Sequence, residues 1–318
     1  MKPKIIVTRD IPDEVELKLK EYFQVSFNRE DKVFSNDILR KAMESADGIV
    51  CTVTDSITDE LLTLPNKKVK IIANIGVGVD HIDLQSAKEN NVIITNTPDV
   101  LTESTVDVAT LLLLSVTRNA FLVEKMLRQD EWKGFSLTEN LGVDVRGKIL
   151  GIVGMGRIGQ AFAKRAHEVF GMKVLYYNRS PVKDLTFEAS VRFDLDALLE
   201  ESDVISLHLS SDKGNKNFIS KNKLKKIRPS SFLINTSRGD VIDQMALTDM
   251  LEKKKLAGAG LDVFMNEPNV PPELRRLTNT TLYPHIGSAT HETRTKMGML
   301  AVENLIAFFN KKQVINEL

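Results

Sequence analysis

A chain of 318 residues exceeds the size at which a single core usually stops growing, so two domains are expected. With 42% hydrophobic and 27% charged residues it has the make-up of a folded globular protein, which excludes a disordered chain. The 43 basic side chains balance the 43 acidic ones, so no polyanion such as nucleic acid is an expected partner. Cys51 is the only cysteine, which leaves no intrachain disulfide and no thiolate metal site and suits a reducing cytoplasm. No secretory segment is legible in Met1 to Asp10. The densest apolar run, Val106 to Val116, contains Asp107 and is far short of the roughly 20 residues of a membrane span, so it reads as a buried helix.

In chain order, Lys4 to Val7, Gln24 to Phe27, Gly48 to Val53, Lys70 to Ile75 and Val92 to Thr95 are predicted strands. Asp13 to Tyr22, Asn36 to Ala46, Thr58 to Leu64 and Asp83 to Asn90 are predicted helices between them. Such alternation implies a parallel sheet covered on both faces. Near Asn96-Thr97-Pro98-Asp99 the proline biases Thr97 away from helix, and a domain crossing is expected there.

A second alternating series follows, with strands expected at Lys148 to Val153, Lys173 to Tyr177, Val204 to Leu209, Ser231 to Asn235, Ala259 to Phe264 and Thr281 to Tyr283. Ala289 to Asn310 carries helical spacing and reads as a long amphipathic helix. The fold expected is α/β, with two doubly wound parallel-sheet domains.

Directly after the first strand of the second series comes Gly154-Met155-Gly156-Arg157-Ile158-Gly159, a GxGxxG run that opens a helix and leads to another strand. Gly154 permits the tight turn, Gly156 a close approach to a pyrophosphate, and Gly159 close packing of helix on strand. A lone GxGxxG is weak evidence, but the whole βαβ setting makes a dinucleotide site the better reading. At the end of the next strand, where an acidic residue would hold ribose hydroxyls, stand Asn178, Arg179 and Ser180. A neutral amide beside a guanidinium suits a 2′-phosphate, so NADP(H) is favoured over NAD(H).

Three later strands run into Thr236-Ser237-Arg238-Gly239, Met265-Asn266-Glu267-Pro268 and Pro284-His285. Ligands sit outside the carboxyl ends of such strands, so Arg238, Glu267 and His285 can converge. The guanidinium can hold a carboxylate in two parallel bonds and polarise a carbonyl, the imidazolium can protonate its oxygen, and the carboxylate would favour the charged imidazole. Each residue alone has a blander reading as an ion pair, a loop carboxylate or a capping histidine. His81, after a glycine turn, is a rival for the acid; His208, His167 and His291 are weaker ones.

Taken together, these residues resemble the D-2-isomer-specific 2-hydroxyacid dehydrogenases. The likeness runs through Gly76-Val77-Gly78-Val79-Asp80, Asn96-Thr97-Pro98, Gly147-Lys148 into Gly159, Asn235 to Gly239, Gly260 to Phe264 with Glu267-Pro268, and Pro284-His285-Ile286-Gly287-Ser288. The resemblance implies Arg238 as substrate-binding and catalytic arginine, Glu267 as the acid's partner and His285 as proton donor. It implies that the Val77 and Gly78 amides receive the substrate carboxylate. On the cofactor side it implies pyrophosphate contacts at Arg157 and Ile158, Asp262 near the nicotinamide amide, and Thr236 and Gly287 among the binding residues.

The resemblance further implies a flavodoxin-like substrate domain formed by residues 1–100 and 285–318, with a Rossmann domain, residues 101–284, inserted in it and serving homodimerisation. The expected reaction is hydride transfer from NAD(P)H to a small 2-keto acid, giving the D-2-hydroxy acid. Glyoxylate or hydroxypyruvate is favoured over a phosphorylated acid, because Thr52 to Leu64 contains no basic residue. A D-lactate dehydrogenase, a phosphoglycerate dehydrogenase-like enzyme and a non-enzymatic NAD(H)-dependent corepressor or sensor remain open alternatives.

Overall fold

The computed structural model describes residues 1–210 and 214–318. The chain divides into one unit of residues 1–101 and 289–318 and another of residues 102–288. The second division falls later than residue 284 for a visible reason. Asp262 accepts the Ile286 and Gly287 N–H groups at 2.7 and 2.8 Å, which ties that segment to the second unit.

The first unit runs β1 (Lys4–Val7), α1 (Asp13–Tyr22), β2 (Gln24–Phe27), α2 (Asn36–Ser45), β3 (Gly48–Cys51), α3 (Asp59–Leu62), β4 (Ile71–Asn74), α4 (Leu84–Glu89) and β5 (Ile93–Thr95). Its sheet has the order β2-β1-β3-β4-β5 and is parallel throughout. Every residue of β3 and β4 is buried, as strands covered on both faces require. One face packs on Leu39, Met43, Leu61, Leu62 and Ala87, the other on Val15, Leu19, Ala301, Val302 and Leu305. The last three of these belong to the long C-terminal helix.

The second unit contains α5 (Thr102–Thr117), α6 (Ala120–Arg128), β6 (Ile149–Val153), α7 (Arg157–Phe170), β7 (Lys173–Tyr177), β8 (Ala189–Val191), α8 (Leu195–Glu201), β9 (Val204–Leu207) and α9 (Lys221–Leu224). There follow β10 (Phe232–Asn235), a 3-10 turn at Gly239–Val241, α10 (Gln244–Glu252), β11 (Gly258–Leu261), α11 (Pro272–Arg275) and β12 (Thr280–Leu282). The parallel sheet has the order β12-β11-β10-β9-β6-β7-β8. The chain then returns to the first unit as α12 (His291–Phe309).

The run at Val106 to Val116 is the buried part of α5. Among the described residues no single helix is long and apolar enough to cross a membrane; α5 and α6 would qualify only together and are bent by 69°. Several strands end earlier than their apolar runs. The Gly48 to Val53 run stops at Cys51 because the Thr52 N–H is taken by the Asp55 side chain at 2.9 Å instead of continuing a ladder. Likewise β9 ends at Leu207, so His208 lies past the strand.

The C-terminal tail is held by a buried amide on α12. Asn304 donates to the Leu300 carbonyl at 2.9 Å and to Asn316 at 3.2 Å, and its Oδ1 accepts the Ile315 and Asn316 N–H groups at 3.1 and 2.9 Å. Leu318 then donates to the Ile94 carbonyl at 3.0 Å. Asn304→Leu keeps the volume and removes these bonds. The substitution is expected to cost about 1–3 kcal/mol in urea unfolding and to speed amide exchange across residues 314–318. Unchanged exchange there would mean that other contacts hold the tail.

Candidate active site

The glycine turn after β6 has the shape its sequence demands. Gly154 has φ +95°, and a Cβ there would lie 2.5 Å from the His208 carbonyl oxygen. A Cβ on Gly159 would meet the Gly154 carbonyl oxygen at 2.2 Å, so only glycine lets α7 start this close to the turn. Gly156, the residue capping α7, is exposed, and a Cβ on it would meet nothing within 4 Å. The face that a pyrophosphate would occupy is therefore open, and the first amides of a 14-residue helix begin beside it. Thr236, after β10, has a buried Oγ1 with no hydrogen-bond partner.

At the end of β7, Asn178 braces the turn. Its Oδ1 accepts the Met155 N–H at 3.2 Å, and its Nδ2 donates to the Ser180 carbonyl at 2.9 Å. Arg179 and Ser180 are exposed, and the Arg179 guanidinium also reaches Asn215 at 3.4 Å. Arg157 is exposed and Ile158 half-buried at the start of α7.

The structure brings Glu267 and His285 together: Glu267 Oε2 lies 2.8 Å from His285 Nδ1, and Oε1 accepts the Phe264 N–H at 2.9 Å. Burial alone would raise the Glu267 carboxyl. The bond and charge of His285, the Phe264 N–H and the charge of Arg238 outweigh it and hold the group below its ordinary range. An ionised carboxylate only accepts, so Nδ1 carries the hydrogen and Nε2 is the ring atom left to face a substrate. Arg238 sits in the loop after β10, where its carbonyl is held by Asn235 Nδ2 at 2.8 Å. A Cβ on the next residue, Gly239, would lie 1.9 Å from the Phe264 carbonyl carbon, so glycine lets the Arg238 and Glu267 loops touch.

Asp262 follows β11 and is 1% exposed. Burial pushes its carboxyl up to about 6, although the Ile286 and Gly287 N–H groups and the His285 charge pull the other way. Its carbonyl also accepts the His285 N–H at 2.9 Å. Asp262 therefore holds the segment 285–287 directly.

In the first unit, Val77 and Gly78 lie in the loop after β4, shaped by Asn74. Asn74 Nδ2 donates to the Gly76 and Gly78 carbonyls at 3.1 and 3.0 Å, and its Oδ1 lies 3.1 Å from His81 Nε2. Because carbonyls only accept, the amide orientation is fixed and His81 donates from Nε2. That nitrogen of the rival histidine is thus committed. The structure also brings a cation to the loop after β3, which lacks one in sequence. Arg9 follows β1, the neighbour of β3 in the sheet, and donates to Thr54 at 2.9 Å. It is paired in a fork with Asp31 at 2.8 and 3.1 Å.

Asn74, Asn235 and Gln244, whose Oε1 accepts the Met265 N–H at 2.8 Å, escaped the sequence reading. For the two asparagines a signal existed. Each is the last residue of an otherwise apolar strand and is fully buried.

Residues 110–287 match the model for the NAD binding domain of the D-isomer specific 2-hydroxyacid dehydrogenases. The chain is 43% identical over 313 residues to a glyoxylate reductase of Thermococcus litoralis, covering 97% of this chain and 94% of that one. It is 40% identical to a glyoxylate/hydroxypyruvate reductase B of Serratia proteamaculans, covering 96% and 94%. Among solved structures it is similar to an NADPH-dependent glyoxylate/hydroxypyruvate reductase of Sinorhizobium meliloti in complex with NADP and malonate. That similarity has a TM-score of 0.87 and 33% identity, covering 100% of this chain and 97% of the other. The chain belongs to the D-isomer specific 2-hydroxyacid dehydrogenases, NAD(P)-dependent oxidoreductases of small 2-keto and 2-hydroxy acids. Its second unit carries the nicotinamide dinucleotide site.

His208 gives this site a pH signature. It packs against Phe162 with ring centroids 5.7 Å apart, and its Nε2 lies 2.9 Å from Ser206 Oγ. Burial lowers its pKa from 6.5 to about 4. The unfolded chain therefore takes the proton first, and the stabilising contribution is full above about pH 6.5 and lost as pH falls toward 4. The loss amounts to about 3 kcal/mol. Asp262 has the opposite sign over an overlapping range, since a raised carboxyl stabilises more as pH falls below about 6. The difference between wild type and His208→Gln isolates the histidine. From pH 7 to pH 4.5 the variant should lose less stability in urea melts, and parallel curves would show that His208 does not titrate this way.

Proposed function

We propose that the protein reduces glyoxylate or hydroxypyruvate to the D-2-hydroxy acid, with NADPH preferred over NADH. The observation that carries this reading is the Glu267–His285 pair at 2.8 Å, with the Arg238 charge acting on the same carboxylate. Relatives described as glyoxylate and glyoxylate/hydroxypyruvate reductases support the substrate class. The commitment of Arg9 to Asp31 supports an unphosphorylated acid, because the cation that reaches Thr54 in the loop after β3 is already paired.

When bound, the nicotinamide supplies hydride to the carbonyl carbon. Gly156, Arg157 and Ile158 would receive the pyrophosphate on the turn that Gly154 and Gly159 shape, Thr236, Asp262 and Gly287 would line the nicotinamide side, and Arg179 and Ser180, on the turn braced by Asn178, would take the 2′-phosphate. Arg238 holds the keto acid through its planar fork and polarises the carbonyl. His285 gives the Nε2 proton to the carbonyl oxygen as the carbon is reduced, and Glu267 keeps the ring oriented through Nδ1. Val77 and Gly78 in the first unit receive the substrate carboxylate through their amides, which makes that unit the substrate domain.

The protein acts as a homodimer in the cytoplasm on this reading. In its support, α6 buries none of its residues, and Leu127 on it and Trp132, Phe135, Leu137 and Leu141 along the following arm are exposed. The single, buried Cys51 suits a reducing compartment.

A panel of 2-keto acids assayed with NADPH and with NADH tests the proposal directly. Wild type should show its highest kcat/KM with NADPH and glyoxylate or hydroxypyruvate. Asn178→Asp keeps the acceptor for Met155 but loses the donor to Ser180 and adds a charge, so NADPH use should fall relative to NADH. A wild-type preference for NADH would refute the cofactor assignment.

The acid is tested separately. His285→Gln should lower kcat by roughly 10² to 10⁴ with NADPH binding nearly intact. Glu267→Gln deletes the charge beside the ring while keeping its size. The alkaline limb of kcat/KM for keto-acid reduction should then move to lower pH, and oxidation of the hydroxy acid should become usable at lower pH. An alkaline limb that stays in place would return Glu267 to the status of an ordinary loop carboxylate.

A further inference from the structure

The loop after β4 is held by its carbonyls. Gly76 O accepts from Asn74 Nδ2 at 3.1 Å and from the Thr97 N–H at 3.0 Å. Val77 O accepts from Asn96 Nδ2 at 2.9 Å, and Gly78 O accepts from Asn74 Nδ2 at 3.0 Å. Three successive peptide oxygens are thus drawn to two side-chain amides and one backbone N–H. In a trans peptide the N–H points opposite to the C=O of the same plane. Fixing Gly76 O therefore aims the Val77 N–H, and fixing Val77 O aims the Gly78 N–H, away from the asparagines. Among the described residues neither of these two N–H groups makes a hydrogen bond.

Asn74 is itself tightly determined. It is 0% exposed, and its Oδ1 accepts from His81 Nε2 and lies 3.8 Å from Cys51 Sγ, so the amide cannot turn over without losing both carbonyl bonds. A Cβ on Gly76 would lie 3.3 Å from Asn74 Nδ2, so the loop glycine leaves room for the amide beneath it.

We propose that Asn74 and Asn96 are the positioning residues of a carboxylate-binding nest, holding the carbonyls of Gly76, Val77 and Gly78 so that the Val77 and Gly78 N–H groups face an anionic ligand. This rests on the reading that the loop takes the keto acid's carboxylate. An anion site built from backbone amides works only if the peptides are oriented before the ligand arrives, because turning them on binding would consume affinity. Neither asparagine touches substrate on this account. Both act through peptide planes, so they set affinity for the acid and leave the chemical step alone.

The test uses the whole enzyme with NADPH. Asn74→Leu is nearly isosteric and uncharged, so it removes the donors without repelling an anionic substrate. It should raise KM for glyoxylate roughly 10- to 100-fold, with kcat changed by less than about threefold and NADPH binding unaltered. Should that variant fail to fold, Asn96→Ala frees Val77 O alone and should raise KM in the same way by a smaller factor, with Asn96→Gln restoring part of the loss. Calorimetric titration of the NADPH-saturated proteins with oxalate reads the nest without turnover, and affinity should fall in step with the KM changes.

A folded Asn74→Leu or Asn96→Ala with wild-type KM and oxalate affinity overturns the proposal. So does a variant in which kcat and NADPH affinity fall as KM rises, since that is the mark of general disruption. If wild type does not reduce glyoxylate or hydroxypyruvate yet binds oxalate, and the variants bind it weakly, the nest stands and the substrate assignment falls. If wild type reduces them and the variants match it, the assignment stands and the nest falls.

Discussion

A loop leaving the carboxyl end of a parallel strand carries N–H and C=O groups that the ladder no longer satisfies, and burial keeps water from many of them. The rest of the structure depends on how that constraint is met. A short polar side chain at the strand end, or just past it, does so in four places. Asn74 closes β4, Asn235 closes β10, Asp262 follows β11, and Asp55 stands past β3; each is at most 1% exposed. Asn74 takes the Gly76 and Gly78 carbonyls, and Asn235 takes the Arg238 carbonyl together with the Ser237 N–H and hydroxyl. Asp55 takes the Thr52 N–H at 2.9 Å and the Thr8 hydroxyl at 2.5 Å. The residues proposed for chemistry sit on loops whose shape these buried groups dictate.

This explains what was legible in the sequence and what was not. Apolar runs alternating with helical spacing announce parallel sheets, because strands buried on both faces need them. GxGxxG between two such strands announces its turn for equally direct steric reasons. Edge strand β8 was missed because Ala189–Val191 is only half covered and carries no apolar run. The pairing of Arg9 with the loop after β3 was also hidden. It depends on β1 and β3 being neighbours, a fact of strand order rather than of local sequence. Strand ends were read too late at β3, β9 and β11, since hydrophobicity continues for two or three residues after side chains have replaced the ladder.

Two carboxylates lie close to His285, and their environments drive them apart. Glu267 is surrounded by donors and cationic groups that outweigh its burial, so it is held ionised. Asp262 is more fully enclosed and is pushed up to about 6 despite two backbone N–H bonds. Separation of this kind usually marks a division of labour between neighbouring acids. Here the ionised group faces the ring, and the one that resists ionisation faces the backbone.

That division matters because His285 adopts φ +55°, a left-handed conformation that costs a residue other than glycine roughly 1–2 kcal/mol. Something must over-determine it for the imidazole to stay in place. Asp262 supplies this by capturing three consecutive N–H groups: that of His285 on its carbonyl, and those of Ile286 and Gly287 on its two carboxylate oxygens. Glu267 meets His285 at the ring, through Nδ1, while its other oxygen takes the Phe264 N–H. Backbone position and ring orientation of His285 are therefore set by different residues on the same loop region after β11. None of the bonds by which Asp262 holds residues 285–287 involves Glu267, so the partner of the ring and the partner of the backbone can be varied separately.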